Sequence, residues 1–254
     1  MLRYETMVKK RPERTRKTKT VRKKRPRSGH LHIIALGGSI VAPEGVDEAF
    51  LQRFRTLVKR LVGRGHRFII VIGGGGIARK YQRAAKILSD DATQIELDTV
   101  GMRATQLNAE LVRVALGDGT HPEIINTPEK LLHLRDPIAV AAGWMPGYST
   151  DTVAVRIAEE IGAKRIIVAG QPPYVYDRDF TRYPNAKPFR KMTWHDYGTI
   201  ISGKWKPGMS APVDPVAARR AERMNITAIV LRGTQLTNLE DLLNGRGFRG
   251  TIIQ

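Results

Sequence analysis

The sequence predicts a three-layer α/β/α sandwich with a mainly parallel central sheet. From Leu31 onward, apolar strand-like runs alternate with segments of helical period, and such alternation places parallel strands between two helical layers. Glycine-bearing turns follow several of these runs. With 254 residues, of which 41% are hydrophobic, the chain is long enough to bury a core of this architecture.

The elements follow one another in a regular order. Short apolar runs predict strands at LHIIAL, RFIIVI, PIAVAAG, KRIIVAG, ITAIVL and GTII. Helices are predicted at VDEAFLQRFRTLVKRLV, IARKYQRAAKIL, TVGMRATQLNAELV, DTVAVRIAEEIGA and DPVAARRAERMN. The buried face of the first helix is expected to consist of Val46, Phe50, Phe54, Leu57, Val58 and Leu61. Asp214 before Pro215 is typical of a helix start, and Gly162 and Asn225 are typical of helix ends.

Charge divides the chain into two parts. The net charge is +19, and residues 1–30 hold 13 Lys and Arg against 2 Asp and Glu. We expect residues 1–29 to form a basic, disordered tail, because so few apolar residues cannot offset the entropy of ordering. Residues 30–254 are expected to form one domain. The tail has the charge to bind nucleic acid through phosphates. A solvated tail, or a start codon assigned too early, is the preferred interpretation, because basic tracts are common.

Cysteine usage and hydropathy exclude several classes of protein. The chain has no cysteine, which excludes disulfides and thiolate metal sites and fits a reducing cytoplasm. No apolar run approaches the roughly 20 residues that a membrane helix needs. The N-terminus also has no apolar core of a signal peptide. We therefore expect a cytoplasmic protein with no membrane partner.

Three glycine-bearing loops follow predicted strands. Gly37, Gly38 and Ser39 form the first, residues 73–76 the second and residues 143–150 the third. The carboxyl ends of parallel strands meet at one edge, where open α/β sheets bind ligands. Main-chain amides at a strand-to-helix turn favour a phosphate. Three such loops predict two phosphorylated ligands that face each other.

A dinucleotide-binding fingerprint overlaps the second loop. Gly73, Gly75 and Ala78 match G-x-G-x-x-A, and Asp98 follows about twenty residues later. The fingerprint normally follows the first strand of its unit, whereas this loop follows the second. A dinucleotide-dependent oxidoreductase is therefore the less favoured alternative. The P-loop pattern GxxxxGK[ST] is absent from the sequence, which argues against a Walker-type NTPase.

Seven stretches carry a resemblance to a known family. They are, in chain order, IIALGGSIVAPEGVD, VIGGGGIARKY, LDTVGMRATQLNAELV, GWMPGYSTDTVAV, VYDRDFTRYPNAKPF, WKPGMSAPVDPVAA and LNGRGFRGTII. The chain resembles the amino-acid-kinase superfamily and, within it, the uridylate (UMP) kinases of the archaeal-like type, whose first loop has LGGS without a lysine. The resemblance implies the amino-acid-kinase fold and transfer of the γ-phosphoryl group of ATP to UMP with Mg²⁺. It also implies a homo-oligomer, usually a hexamer.

The resemblance implies an ATP site made from the first two loops and the loop after KRIIVAG. Its residues are Gly37, Gly38, Ser39, Gly75, Arg79, Gln171, Tyr176 and Asp179. The family pattern N-x-D-G-V-Y-x-x-D-P reads QPPYVYDRDF here, so Pro173, Tyr174 and Phe180 replace an aspartate, a glycine and a proline. Two prolines remove two amide donors, which leaves ATP affinity and donor choice open. The change favours a second alternative, a nucleotide-sensing or oxyanion-storing protein without turnover.

The resemblance implies a UMP site made from the second and third loops and the helix between them. Its residues are Gly74, Asp98, Gly143, Gly147, Tyr148, Ser149 and Thr150. Asp98 would accept hydrogen bonds from ribose hydroxyls, while the third loop would surround the UMP phosphate. A plain helix cap is the alternative role for Asp98. Thr105 and Asn108 are further polar candidates.

Arg79, Asp151 and Asp214 are implied to act on the transferred phosphoryl group. Arg79 offers a guanidinium fork to phosphate oxygens, with a solvated helix residue as the alternative. Asp151 matches the family aspartate that organises the reacting groups, and a carboxylate beside phosphates implies a cation such as Mg²⁺ between them. Helix caps are the alternative roles for both aspartates. Lys204 and Lys206 are further sources of positive charge.

Overall fold

The computed structural model describes residues 30–202 and 211–254. Within them the chain forms nine strands: β1 (Leu31–Leu36), β2 (Arg67–Ile72), β3 (Ile138–Ala141), β4 (Arg165–Gly170), β5 (Val175–Tyr176), β6 (Pro188–Phe189), β7 (Lys191–Met192), β8 (Thr227–Arg232) and β9 (Thr251–Ile253). Seven strands form the central sheet in the order β3-β2-β1-β4-β8-β9-β7. β5 and β6 form a separate antiparallel pair.

Helices connect the strands. In the described residues they are α1 (Gly38–Val41), α2 (Glu48–Gly63), α3 (Gly75–Leu88), α4 (Gln94–Leu116), α5 (Thr150–Glu160), α6 (Trp194–Ser202), α7 (Pro215–Arg223) and α8 (Leu236–Leu243). A short 3-10 helix, Pro128–His133, precedes β3. The predicted helix ends after α5 and α7 are confirmed, because Gly162 and Asn225 adopt positive φ angles of 69° and 49°.

The strands bury side chains on both faces. Successive residues of a strand point to opposite faces. Ile34 and Leu36 of β1 pack with residues of α2, α4 and α8, whereas Ile33 and Ala35 pack with residues of α5, α6 and α7. The predicted three-layer sandwich is confirmed.

Strand order reverses at the centre of the sheet. The chain runs from β1 outward through β2 to β3 and then returns to β4 on the other side of β1. All pairs from β3 to β8 are parallel, and β9 runs antiparallel to β8. Ligands of open α/β sheets bind beyond the carboxyl ends of the strands at such a reversal. The fold therefore places the candidate site above β1 and β4.

Two predicted helix starts differ from the structure. α2 begins after Asp47, whose carboxylate accepts a hydrogen bond from the Phe50 N–H at 2.9 Å. Val46 precedes this cap and is 43% exposed, so the prediction that Val46 lies on the buried face is wrong. α4 begins at Gln94, five residues before the TVGMRATQLNAELV segment, because Thr93 and Glu96 form a capping box.

Two further expectations concern the surroundings of the domain. In the described part of the chain, no helix has both the length and the apolar character to cross a membrane. The basic tail expected at residues 1–29 lies outside the described residues.

Candidate active site

The first two glycine loops touch each other through their main chains. A Cβ atom added at Gly38 would collide with the amide nitrogen of Gly75 and the carbonyl of Gly73. One added at Gly76 would collide with the carbonyl of Pro43. A Cβ atom at either glycine of the dinucleotide-like fingerprint, Gly73 or Gly75, would collide with the main chain of Gly38, at 2.5 and 2.4 Å. Both glycines are thus explained by contact between two loops of the same chain. The overlap with the fingerprint gives no independent support for a dinucleotide.

The second loop is held from below by Asn108 of α4. The Asn108 amide group is buried and donates to the carbonyls of Gly73 at 2.9 Å and Gly74 at 3.0 Å. Asn108 therefore fixes the carbonyls of this loop and leaves its amides directed elsewhere. In the described part of the chain, the amides of Gly38, Ser39, Gly74 and Gly75 have no hydrogen-bond acceptor. These four donors are available to an anion.

The third loop joins the other two. A Cβ atom added at Gly73 would lie 3.0 Å from Thr150 Oγ1, so the three loops meet at one edge of the sheet, as predicted. The Gly143 amide donates to Thr105 Oγ1 at 2.9 Å. Thr105 therefore positions the base of this loop, and the Gly143 amide is already satisfied. Gly147 has a φ of 83°, a conformation that side chains disfavour.

Ser149, not Asp151, caps α5. Ser149 Oγ accepts a hydrogen bond from the Thr152 N–H at 3.0 Å, and Asp151 is the second residue of the helix. The alternative role of Asp151 as a plain cap is therefore wrong. Its carboxyl lies beside Asp214, whose main chain and carboxylate both act on the pKa of Asp151.

Asp214 uses both oxygens of its carboxylate. Oδ1 accepts from the Val216 and Ala217 N–H groups at 2.8 and 3.1 Å, so the predicted cap of α7 is confirmed. Oδ2 accepts from Ser149 Oγ and from Thr152 Oγ1. Asp214 therefore ties the start of α7 to the start of α5.

The pKa of Asp151 is strongly shifted. Desolvation by burial, followed by repulsion from Asp214, raises the pKa of Asp151 to about 7, while the hydrogen bond from the Asp214 main chain acts in the opposite direction. When this carboxyl is ionised, a nearby cation would strongly stabilise its negative charge.

Asp98 lies in the second turn of α4 and is not its cap, because Thr93 fills that position. The alternative role of Asp98 as a helix cap is wrong. Gln94 Nε2 donates to Asp98 Oδ1 at 2.6 Å, which leaves the other carboxylate oxygen without a hydrogen-bond donor among the described residues. Asp98 also lines a cavity of about 890 Å³.

A cavity of about 890 Å³ lies between α4, the third loop, α6 and α7. This volume falls in the range of small-molecule pockets, roughly 300–1,000 Å³. The walls include six predicted site residues: Asp98, Gly147, Tyr148, Ser149, Thr150 and Asp214. Gly74, Gly143, Asp151 and the predicted ATP residues are not part of its lining. The cavity therefore corresponds to the predicted UMP side of the site.

The predicted ATP residues are brought together only in part. Gln171 Nε2 donates to the Ser39 carbonyl at 3.1 Å, which joins the loop after β4 to the first glycine loop. Tyr176 stacks on Phe180 with ring centroids 4.8 Å apart. The Asp179 carboxylate accepts from the Thr181 N–H and hydroxyl at 2.9 and 2.6 Å, so it stabilises its own turn.

Positive charge near the loops is sparse in the described residues. Arg79 is exposed on α3 and has no hydrogen bond or ion pair with any described residue. Lys204 and Lys206 lie outside the described residues. The Arg79 guanidinium is therefore free to bind a phosphate. The alternative, that Arg79 is an ordinary solvated helix residue, stays open.

Sequence reasoning missed the far wall of the cavity. The missed lining residues lie mainly on α6 and α7: Trp194, Gly198, Ile201, Val216, Arg219 and Glu222. The positions of Arg219 and Glu222 are typical of a solvated helix face, so their residue types alone carried no signal. The spacing of Trp194, Gly198 and Ile201 is that of one helical face.

The comparison with known proteins agrees with this geometry. The model of the amino acid kinase family matches residues 31–232. The chain belongs to the amino acid kinase family. A uridylate kinase of Methanocaldococcus jannaschii is 35% identical over 229 residues, which cover 87% of this chain and 98% of that protein. A uridylate kinase of Natronomonas pharaonis is 34% identical over 216 residues, which cover 84% and 94% of the two chains.

A solved structure supports the same family and fold. The crystal structure of uridylate kinase from Archaeoglobus fulgidus aligns with a TM-score of 0.76 at 26% identity and covers 89% of this chain and 100% of that chain. The predicted family and fold are both confirmed.

Proposed function

We propose that the protein is a UMP kinase that transfers the γ-phosphoryl group of ATP to UMP, giving ADP and UDP. The observation that carries the proposal is the meeting of three glycine loops at one edge of the sheet, where the first two loops have unpaired amides and the third lines a cavity of about 890 Å³. Relatives named uridylate kinase match most of the chain at about 35% identity. The domain that acts is residues 30–254, in the cytoplasm and in the pathway of pyrimidine nucleotides.

Phosphoryl transfer requires positioning and neutralisation more than covalent chemistry by the protein. Amides of the first two loops bind the ATP phosphates, and the third loop binds the UMP phosphate. The proposed ATP contacts are Gly37, Gly38, Ser39, Gly75, Arg79, Gln171, Tyr176 and Asp179. The proposed UMP contacts are Gly74, Asp98, Gly143, Gly147, Tyr148, Ser149 and Thr150. The amides of Gly37 and Gly143 and one carboxylate oxygen of Asp179 are already bonded, so these three residues would contribute through their other groups.

Asp151 and Arg79 are the proposed catalytic residues, and Asp214, which the resemblance also implied to be catalytic, is proposed to position Asp151. Arg79 neutralises phosphate charge. Asp214 holds the start of α5 against the start of α7, because both of its oxygens are already bonded. Asp151 is the carboxylate left for the reacting groups.

Mg²⁺ fits the site as an ion shared with substrate. The described residues contain no group of three acidic or histidine side chains that could hold a metal. Asp151 would therefore be one carboxylate ligand, and nucleotide phosphates would supply the others, as is common for Mg²⁺. When bound, the ion would neutralise negative charge on the phosphates.

A coupled ADP-release assay with UMP, CMP and AMP tests the proposal. Turnover is expected with UMP and ATP, with a lower rate for CMP and AMP. Binding of UMP without turnover would instead favour the sensing or storage alternative. Binding of NADH in place of both nucleotides would reopen the oxidoreductase.

A homo-oligomer, a hexamer by resemblance, is part of the same proposal. α3 exposes Tyr81 (66%) and Leu88 (86%), seven residues apart on one helical face, and α4 exposes Leu107 and Val114 at the same spacing. Large apolar side chains exposed together mark interaction sites. Light scattering should show an oligomer for the wild type and a smaller species for Leu88→Glu.

A further inference from the structure

One buried hydroxyl, that of Tyr197, lies behind the candidate site. Tyr197 of α6 is fully buried and does not line the cavity. Its ring packs edge-on against Trp194, with centroids 5.9 Å apart. Its hydroxyl donates to the Val213 carbonyl at 2.5 Å and accepts from the Val213 N–H at 2.8 Å. A single side chain therefore satisfies both main-chain groups of one buried residue.

Val213 has no other main-chain partner among the described residues. Val213 is itself fully buried, so solvent does not reach its main-chain groups in place of the Tyr197 hydroxyl. The main chain at Val213 is therefore fixed in position by Tyr197. Buried polar groups that lose such a partner are costly, and the chain around them moves to recover one.

The residue that follows Val213 is Asp214. Its carboxylate caps α7 and accepts from Ser149 and Thr152 of the third loop and α5. Its main chain lies close enough to the Asp151 carboxyl to lower the pKa of that group. Tyr197 is thus joined to Asp214 by a hydrogen bond and a peptide bond, and the Asp214 main chain lies beside the Asp151 carboxyl.

The electrostatic environment of Tyr197 keeps its hydroxyl in the protonated form that these hydrogen bonds need. Burial raises the pKa of Tyr197 above its usual range, and the charges of Asp151 and Asp214 raise it further. The hydroxyl therefore stays protonated and keeps its role as a donor throughout the neutral range.

We propose that Tyr197 is a positioning residue of the phosphoryl-transfer site. Through Val213 it sets the place of Asp214, and through Asp214 it sets the place of Asp151 and the start of α5. Tyr197 touches no substrate and acts only through these two aspartates. The proposal rests on the proposed kinase function.

The test is Tyr197→Phe, which keeps the ring and removes the hydroxyl. We expect kcat with UMP and ATP to fall roughly 10- to 100-fold, because small displacements of reacting groups cost up to about 100-fold in rate. The KM for UMP should stay within about twofold. Leu61→Val, in the core on the opposite face of the sheet, is the control for lost stability and should keep the wild-type kcat. A kcat for Tyr197→Phe equal to that of the control would overturn the proposal.

A second variant and a second measurement make the result specific. Replacement of Tyr197 by 4-aminophenylalanine keeps a donor at the same place and should restore most of the lost turnover. Hydrogen exchange without nucleotides should be faster at residues 213–217 in Tyr197→Phe than in Leu61→Val. Unchanged exchange there would show that the tie to Val213 is absent. If the wild type lacks turnover, the kinase function fails, while hydrogen exchange still decides the role of Tyr197.

Discussion

Asp151 and Asp214 show how neighbouring residues give two carboxylates in one crevice different tasks. Asp214 has four hydrogen-bond donors around its carboxylate, whereas the Asp151 carboxyl has only the nearby Asp214 main chain as a donor group among the described residues. A carboxylate with all its oxygens engaged is a structural link. One that is desolvated and has few donors is available to a cation or a reacting group.

Asp151→Asn is therefore expected to lower kcat by roughly 100-fold, a magnitude seen when one preorganised electrostatic group is removed. UMP binding should stay near that of the wild type, since Asp151 is not part of the cavity lining. Steady-state kinetics and calorimetric titration with UMP measure the two effects. Asp241→Asn, on α8, is the matched control. Wild-type turnover in Asp151→Asn would show that Asp151 has no part in the reaction.

At the scale of elements, the site depends on the contact between the turn into α1 and the turn into α3. The collision of a Cβ atom at Gly38 involves main-chain atoms of the second loop, which cannot rotate away as a side chain can. Gly38→Ala should therefore destabilise the protein by at least about 3 kcal/mol, the upper range for overpacking. Gly45→Ala, where nothing lies within 4 Å of the added atom, should be close to neutral. Urea denaturation measures both, and equal midpoints would contradict the tight contact.

Elements with one strong periodic signal could be predicted from the sequence, whereas others could not. β1 and β2 have the predicted bounds because each is mostly apolar and ends at a glycine-bearing turn. α6 was missed because WHDYGTIIS mixes aromatic, polar and β-branched residues. The β5–β6 pair was missed because two-residue strands carry no period.

The site could be predicted to the level of loops but not of atoms. Glycines after strands located the three loops, because strand topology brings their ends to one edge. The sequence could not show that the Gly143 amide is bonded to Thr105 or that Asp179 serves its own turn. Such pairings depend on tertiary distances, and the pair of Tyr197 and Val213 lies sixteen residues apart.

At the scale of the whole molecule, two groups near opposite ends of the parallel strands, His32 and Asp151, make stability depend on pH in opposite directions. His32 of β1 shares a 2.8 Å hydrogen bond with His66. Burial, followed by the charges of His66, Arg165 and His30, lowers the pKa of His32 to about 3. Between pH 6.5 and 3 the unfolded chain binds a proton that the folded chain excludes. His32 thus favours folding fully above pH 6.5, and this contribution is lost as pH falls.

His32→Gln should make the loss of stability between pH 6.5 and 4.5 shallower, because glutamine does not titrate and can still donate to His66. The change in slope is at most about 1.4 kcal/mol per pH unit for one proton. Urea denaturation at a series of pH values measures the slope. His195→Gln, the same change at an exposed position, is the matched control. A slope that is the same in His32→Gln and wild type would show that His32 titrates as in the unfolded chain.

Asp151 acts in the opposite direction. Its pKa of about 7 in the folded protein exceeds that of the unfolded chain, about 3.9, so between these values the folded chain holds a proton that the unfolded chain has released. Its contribution to stability therefore falls as pH rises from about 4 to 7. Without nucleotides or divalent ions, Asp151→Asn should be more stable than the wild type at pH 8 and close to it at pH 4, whereas Asp241→Asn should show no such rise. Lower stability of Asp151→Asn than of the wild type at pH 8 would mean that the ionised carboxylate stabilises the fold. In that case hydrogen-bond donors around Asp151 would be sufficient to stabilise its charge without a cation.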